Sequence, residues 1–261
     1  MTVTHAGDQT DGPMAHAGPV LSISGLEVHY GPLHAVESIS LDVGRGELVA
    51  LLGANGAGKS SLLRAVVGLE RAAAGTVALL GQDLKGVARH RRAQMGVGYV
   101  PEGRGVFPTM SVEENIVVPL GRGADRSRAL SIAFELFPVL GERRKQVAGS
   151  MSGGEQQMLS LARALAGEPS LLLVDELSLG LAPMIVRQLI EKVGELRDGG
   201  MSILLVEQFA HAALQVADRA GIMVRGRMTR LGPGAELAAL NHDELAQAYF
   251  GTARQASGAS Q

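Results

Sequence analysis

Three short stretches carry residues whose types and spacing can do chemistry. The first, Gly53-Ala54-Asn55-Gly56-Ala57-Gly58-Lys59-Ser60, satisfies G-x-x-x-x-G-K-[ST] between an apolar run and a helical pattern. Glycines at this spacing let successive backbone N–H groups curl around phosphate oxygens, and a helix starting at the end of the loop adds the positive end of its dipole. In such a loop Lys59 reaches the β- and γ-phosphates of a nucleotide, and Ser60 offers its hydroxyl to Mg2+. The second stretch, Leu171-Leu172-Leu173-Val174-Asp175-Glu176, is an apolar strand ending in two acids. Burying an unpaired carboxylate is costly, so such an ending needs a purpose. Beside a phosphate loop, Asp175 is placed to hold Mg2+ through water and Glu176 to orient or deprotonate an attacking water. The third, Met151-Ser152-Gly153-Gly154-Glu155-Gln156-Gln157, has the Ser-x-x-Glu spacing of a capping box, and its two glycines leave the helix N-terminus open as an anion site. Each stretch has a plain alternative: a glycine-rich turn, a solvated strand end, a glycine linker. All three on one chain, with the 151–157 stretch between the phosphate loop and the acidic strand end, argue against coincidence.

The elements that must position these residues alternate between short apolar runs and helical patterns from Leu21 onward, the rhythm of an α/β protein. Strands are predicted at Leu21 to Tyr30 and Ser38 to Val43, around the turn at Gly31-Pro32, then at Glu47 to Leu52, Thr76 to Leu80 and Val97 to Val100. Ser60 to Gly68 reads as a helix stopped by its glycine, and Arg89 to Gln94 as a basic helical patch. From about residue 105 to 167 the pattern is mostly helical, with a second capping-box spacing at Ser111 and Glu114, and looks like an inserted lobe. After it come a strand at Leu171 to Val174, a helix opened by Pro183 and ended at Gly199-Gly200, and a strand at Ser202 to Val206. A helix over 208–218, a hairpin around Arg225-Gly226-Arg227 and a helix over 242–250 complete the expected fold. Residues 1–20 and 252–261 read as disordered or loose tails flanking one domain over 21–251.

Composition narrows the function further. The 261 residues carry 24 basic and 26 acidic side chains, a balance that excludes nucleic-acid binding driven mainly by counterion release. Aromatic residues make up only 3% with no Trp, too few for base-stacking platforms, and the absence of Cys excludes thiol catalysis and cysteine-ligated zinc. Charged residues at 19% fall below the roughly 25% of soluble domains, consistent with some surface hidden against partners. Uncharged runs break before the roughly 18 residues that a membrane span needs, as at Lys59. The first basic residue is Arg45 and Met1 to Gly18 has no apolar run, so no secretory leader is read here and the expectation is a cytosolic chain.

The Met151 to Gln157 stretch resembles the signature motif of ATP-binding cassette (ABC) proteins. With Val100-Pro101-Glu102-Gly103-Arg104, Ser111-Val112-Glu113-Glu114-Asn115, Ser178-Leu179-Gly180-Leu181-Ala182-Pro183 and Leu205-Val206-Glu207-Gln208, the chain resembles the LivF-type ATPase of branched-chain amino acid importers from about Leu21 to Gly251. The resemblance implies an α/β P-loop ATPase with a RecA-like core, an N-terminal antiparallel β-subdomain and an inserted helical lobe. It implies ATP and Mg2+, held by Gly53, Asn55, Gly56, Gly58, Lys59, Ser60 and Ser61, with Tyr30 stacking on adenine and Asp175 and Glu102 toward the metal. Lys59, Glu176, Gln208 and Glu102 are the implied catalytic set, while Ser152, Gly153, Gly154 and Glu155 serve the nucleotide of a partner subunit, because the family's sites form between two head-to-tail ATPases. The implied partners are a second ATPase, LivG-type or a second copy, two transmembrane permeases and, indirectly, an extracytoplasmic solute-binding protein, with no nucleic acid. The implied location is peripheral, on the cytoplasmic face of the cell membrane.

Three positions depart from the wider family's pattern. Glu102 stands where many ABC ATPases have Gln, and Gln208 where many have His, both in LivF fashion. An amide donates a hydrogen bond but carries no charge, so stabilisation of the γ-phosphate there is weaker. Leu177 replaces a Pro after the acidic pair, restoring an N–H and freeing φ. An importer of urea, amides or other amino acids would use a similar ATPase. A soluble ABC clamp or assembly factor is disfavoured by the single cassette, the absence of heptads and Cys, and the charge balance, and a low-turnover switch by Glu176.

Overall fold

The computed structural model describes residues 18–121 and 123–250, the side chains of 242, 243, 245 and 250 excepted. All of the expected tail over 252–261 and most of that over 1–20 lie outside the described residues. Residues 18–20 are described, and Val20 is buried, its N–H donating to Val43 O.

The chain opens with a hairpin, β1 (Leu21–Tyr30) and β2 (Leu33–Val43), followed by β3 (Leu48–Leu52), α1 (Lys59–Val67), β4 (Ala74–Leu79), β5 (Gln82–Asp83), α2 (Arg89–Gln94) and β6 (Val97–Val100). A helical stretch follows: α3 (Val112–Val117), α4 (Arg126–Leu136), α5 (Pro138–Glu142), a 3-10 turn at Ala148–Ser150 and α6 (Gly153–Leu165). The chain then returns through β7 (Leu171–Asp175), α7 (Pro183–Asp198), β8 (Ser202–Glu207), α8 (Ala210–Leu214), β9 (Arg219–Val224), β10 (Arg227–Pro233), α9 (Gly234–Ala238) and α10 (His242–Phe250).

Two sheets result. The smaller is antiparallel with order β2-β1-β4-β5, and the larger runs β10-β9-β3-β8-β7-β6, parallel except for the β10 edge. Every residue of β3, β7 and β8 is buried, as parallel strands covered on both faces require. Their side chains alternate between two cores. Leu48, Leu52, Leu172 and Leu205 pack with the helical lobe and α7, while Val49, Leu51, Leu173 and Leu204 pack with α1 and the small sheet. The helix that ends the phosphate loop is thereby clamped between two sheets.

Where the structure departs from the sequence reading, local hydrogen bonds give the reason. The strand expected from Ser38 begins at Leu33, because Tyr30 pairs with Leu33 directly across Gly31-Pro32. The helix expected over 208–218 shrinks to Ala210–Leu214. At its front the Gln208 N–H is taken by the Glu207 carboxylate, and at its rear Asp218 bonds both the N–H and the carbonyl of Leu48, drawing the chain into the sheet. Both predicted capping boxes are present, at Ser111/Glu114 and Ser152/Glu155.

Candidate active site

Parallel register brings three strand ends together. Leu52 pairs with Glu207 and Asp175 with Val206, so the phosphate loop, the acidic pair and the Glu207-Gln208 segment leave one edge of the sheet side by side. That edge, at the carboxyl ends of parallel strands, is where open α/β sheets bind ligands.

The loop is shaped by close approach. At Gly58, φ is +101° and an added Cβ would sit 2.0 Å from Ala35 O, so no side chain fits. Lys59 follows as the first residue of α1, 3% exposed, its ammonium donating to Gly53 O at 2.9 Å and Ala54 O at 3.2 Å and pairing with Glu176 Oε1 at 3.2 Å. Ser60 Oγ donates to Asp175 Oδ1 at 2.8 Å, and Tyr99 OH donates to Asp175 Oδ2 at 3.3 Å. Burial pushes the Asp175 carboxyl above the usual range, against the Ser60 hydrogen bond, and the nearby Glu176 and Glu102 charges add to the rise. Divalent cations lower such a carboxyl, and Mg2+ takes one or two carboxylates together with hydroxyl, water and phosphate oxygens, so the Ser60-Asp175 pair fits it.

Glu176 is buried with φ +47°, in the left-handed region, its N–H held by Val206 O at 3.0 Å. A residue with a β-carbon adopts this conformation at a cost of about 1 kcal/mol or more, and such strain concentrates at functional sites. Leu177, in place of the expected Pro, is buried behind it.

A cavity of about 620 Å3 opens over the loop, lined among others by Tyr30, His34, Lys59, Ser61, Glu176 and Arg225. Tyr30 OH lies 3.4 Å from Ser61 Oγ, so the ring stands at the cavity rim beside the loop. Gly56, Gly58 and Ser60 also line it, and Asn55 is exposed at the top of the loop. Glu102 and Gln208 are exposed and do not line the cavity, although the charge of Glu102 is felt at Asp175. Nor do Ser152, Gly153, Gly154 and Glu155, which open α6 on the helical lobe. The Ser152 hydroxyl accepts from Glu155 N–H at 3.3 Å, the Glu155 carboxylate accepts from Ser152 N–H at 2.8 Å, and Arg143 pairs with it at 3.1 Å. At Gly154 an added Cβ would meet Ile185 of α7 at 2.8 Å, so the missing side chain is what lets the signature helix close on the core.

Three participants escaped the sequence reading. Tyr99 on β6 reaches Asp175, and Arg225 and His34 line the cavity from the two hairpins. Tyr99 and His34 are lone residues in ordinary strands and Arg225 stands in a turn, and only the folded sheet order brings them to the loop. Arg104, part of the 100–104 motif, donates to Gln156 Oε1 at 2.9 Å. Arg104 therefore ties the 101–105 turn to the signature helix.

Nucleotide-binding cassettes are the class that this fold and site define. Residues 36–178 match the family profile described as ABC transporter, and the chain belongs to that family, as one of its ATPases. It is 43% identical over 235 residues to the high-affinity branched-chain amino acid transport ATP-binding protein BraG of Pseudomonas aeruginosa, covering 89% of this chain and 100% of that one. It is 33% identical over 230 residues to an Archaeoglobus fulgidus protein named as a probable branched-chain amino acid transport ATP-binding protein, LivF, covering 87% and 96%. Among solved structures it matches an ATP-binding subunit of an ABC transporter with a TM-score of 0.73 and 27% identity, over 88% of this chain and 98% of that one. No helix among the described residues is long and apolar enough to cross a membrane.

Proposed function

We propose that this chain is the ATP-hydrolysing subunit of an ABC importer that energises uptake of branched-chain amino acids across the cytoplasmic membrane. The observation that carries the cargo is the 43% identity to BraG over that relative's entire length. In this reading two ATP lie between two head-to-tail ATPases, this chain with a LivG-type subunit or a second copy of itself. The pair docks on two transmembrane permeases at the cytoplasmic face, and an extracytoplasmic solute-binding protein acts indirectly.

The residues divide the work as follows. Tyr30 offers its ring to adenine, and the N–H groups of 53–61 surround the phosphates. Lys59 exchanges its loop carbonyls for β- and γ-phosphate oxygens, which releases Glu176 from its ion pair. Glu176 then takes the proton from the attacking water, while Gln208 and Glu102 close on the γ-phosphate side. Ser60 and Asp175 would hold Mg2+, which supplies charge neutralisation at the phosphate oxygens. Ser152, Gly153, Gly154 and Glu155 present their helix N-terminus to the nucleotide of the partner ATPase.

Deleting the gene and following uptake of labelled leucine tests this function. Uptake should fall and be restored by the wild-type gene but not by Glu176→Gln. Undiminished leucine uptake overturns the cargo.

A further inference from the structure

The carboxyl end of β8 carries an acid that neither the phosphate loop nor the water-activating group uses. Glu207 is 1% exposed, and three donors converge on it: Ser178 Oγ to Oε2 at 2.6 Å, Ser178 N–H to Oε1 at 3.2 Å and Gln208 N–H to Oε2 at 3.2 Å. Because every partner donates, the acceptor-only carboxylate is the form that satisfies them, and its bonds are charge-assisted. The donors belong to different segments. Ser178 opens the loop of 178–181 that follows the acidic pair, and Gln208 begins the turn into α8. Glu176 is fastened to the same strand end through its N–H on Val206 O.

A group from the far end of the chain is buried within reach of this charge. Tyr249 of α10 packs against the core of the helical lobe and α7, and its hydroxyl is buried without a hydrogen-bond partner among the described residues. Burial pushes its phenol up and the Glu207 charge adds to the rise, so the two groups lie within electrostatic reach. A buried hydroxyl without a partner is costly, and Glu207 is the acceptor whose charge it feels.

We propose that Glu207 is a positioning residue for hydrolysis, holding the 178–181 loop and the Gln208 segment in register with Glu176, and that the Tyr249 hydroxyl makes the C-terminal helix part of this tie. The role rests on the reading of the cavity as an ATP-hydrolysing site. Glu207 touches no reacting atom. It acts through Gln208 and through the 178–181 loop, so its loss leaves nucleotide binding intact while the hydrolysing arrangement becomes rarer. Helix α10 thereby gains a route to turnover that does not pass through the nucleotide.

The test is steady-state ATPase kinetics of the full transporter complex carrying wild type, Glu207→Ala, Glu207→Gln, Tyr249→Phe and the two double variants, with ATP-binding stoichiometry measured on each purified chain. Losing charge-assisted bonds should lower kcat about tenfold or more in Glu207→Ala, with KM and stoichiometry unchanged, and Glu207→Gln, which keeps one acceptor oxygen, should recover part of it. Tyr249→Phe should lower kcat about two- to fivefold in the wild-type background and not in Glu207→Ala. A wild-type kcat in Glu207→Ala overturns the role of Glu207, as does a loss matched by falling stoichiometry in both Glu207 variants. Equal effects of Tyr249→Phe in every background overturn the link to α10. Should Glu207→Ala alone misfold, the cycle built on Glu207→Gln separates the same outcomes. A wild-type complex that hydrolyses no ATP refutes instead the ATPase reading on which the role rests.

Discussion

Lys59 Nζ lies 3.2 Å from Glu176 Oε1, and the two side chains are only 2% and 9% exposed. The cation proposed to meet the phosphates and the acid proposed to meet the water thus neutralise one another inside the protein, and each is a condition for burying the other.

Lys59→Ala should abolish tight ATP binding, since the one side-chain cation of the loop is lost. It should also destabilise the nucleotide-free protein by about 3 kcal/mol, because Glu176 stays buried without its partner. Calorimetric titration with ATP and thermal unfolding check the two effects, and wild-type affinity in the variant would contradict the assignment of the loop.

Glu176→Gln should keep Mg·ATP bound and slow hydrolysis by about 10²–10⁴-fold, the worth of a positioned general base. The amide preserves size and one acceptor but cannot take a proton. The nucleotide-bound pair should therefore accumulate, visible as a larger species in gel filtration with Mg·ATP, with the partner ATPase added if the chain does not pair with itself. Hydrolysis at the wild-type rate in the full complex would move the role to Glu102.

Ser152→Arg should leave ATP binding by the isolated chain nearly intact and stop turnover in the assembled pair. Ser152 opens a helix on the lobe and does not line this chain's own cavity, so in the proposed head-to-tail pair a bulky side chain there obstructs only the partner's nucleotide. The lost cap costs about 1 kcal/mol, which thermal unfolding measures separately. Loss of binding of a fluorescent ATP analogue by the isolated variant would contradict the head-to-tail arrangement.

Burial holds the Glu207 carboxyl above the ordinary glutamate range, outweighing its Ser178 and Gln208 donors, with the Glu176 charge adding to the rise. In the unfolded chain it ionises near about 4.3, so above that pH the folded protein binds the extra proton. Its stabilisation is fully present below the unfolded value and is lost as pH rises through the folded one. Glu207→Gln lacks this ionisation, so its Tm relative to wild type should climb as pH rises from about 4 through that interval. A pH-independent difference would contradict the shift.

The chemistry-bearing stretches were legible because each depends on local rules. A glycine loop needs φ and space that only glycine supplies, a capping box needs a fixed spacing of three, and an acidic end on an apolar strand stands out against its own neighbours. Strand limits in the parallel sheet were legible for the same reason, since β3, β7 and β8 are buried on both faces and read as unbroken apolar runs. What stayed hidden is non-local. Glu207 looks like one more polar residue at a strand end until Ser178, 29 positions away, turns back to it. Tyr99 reaches Asp175 only because β6 and β7, separated by the whole helical lobe, are sheet neighbours. The shortening of α8 likewise came from Asp218 bonding to Leu48, a contact across 170 positions.

The positive φ of Glu176 sets folding and turnover against each other at one backbone position. Glycine would relax the dihedral by about 1 kcal/mol but leave the Lys59 ammonium buried without its carboxylate at a cost of about 3 kcal/mol, so the ion pair holds the strained residue in place even where turnover is not selected. A redesign that relieves this backbone position has to replace both members of the pair at once, and for that reason residues 59 and 176 should be treated as a unit in any engineering of the chain.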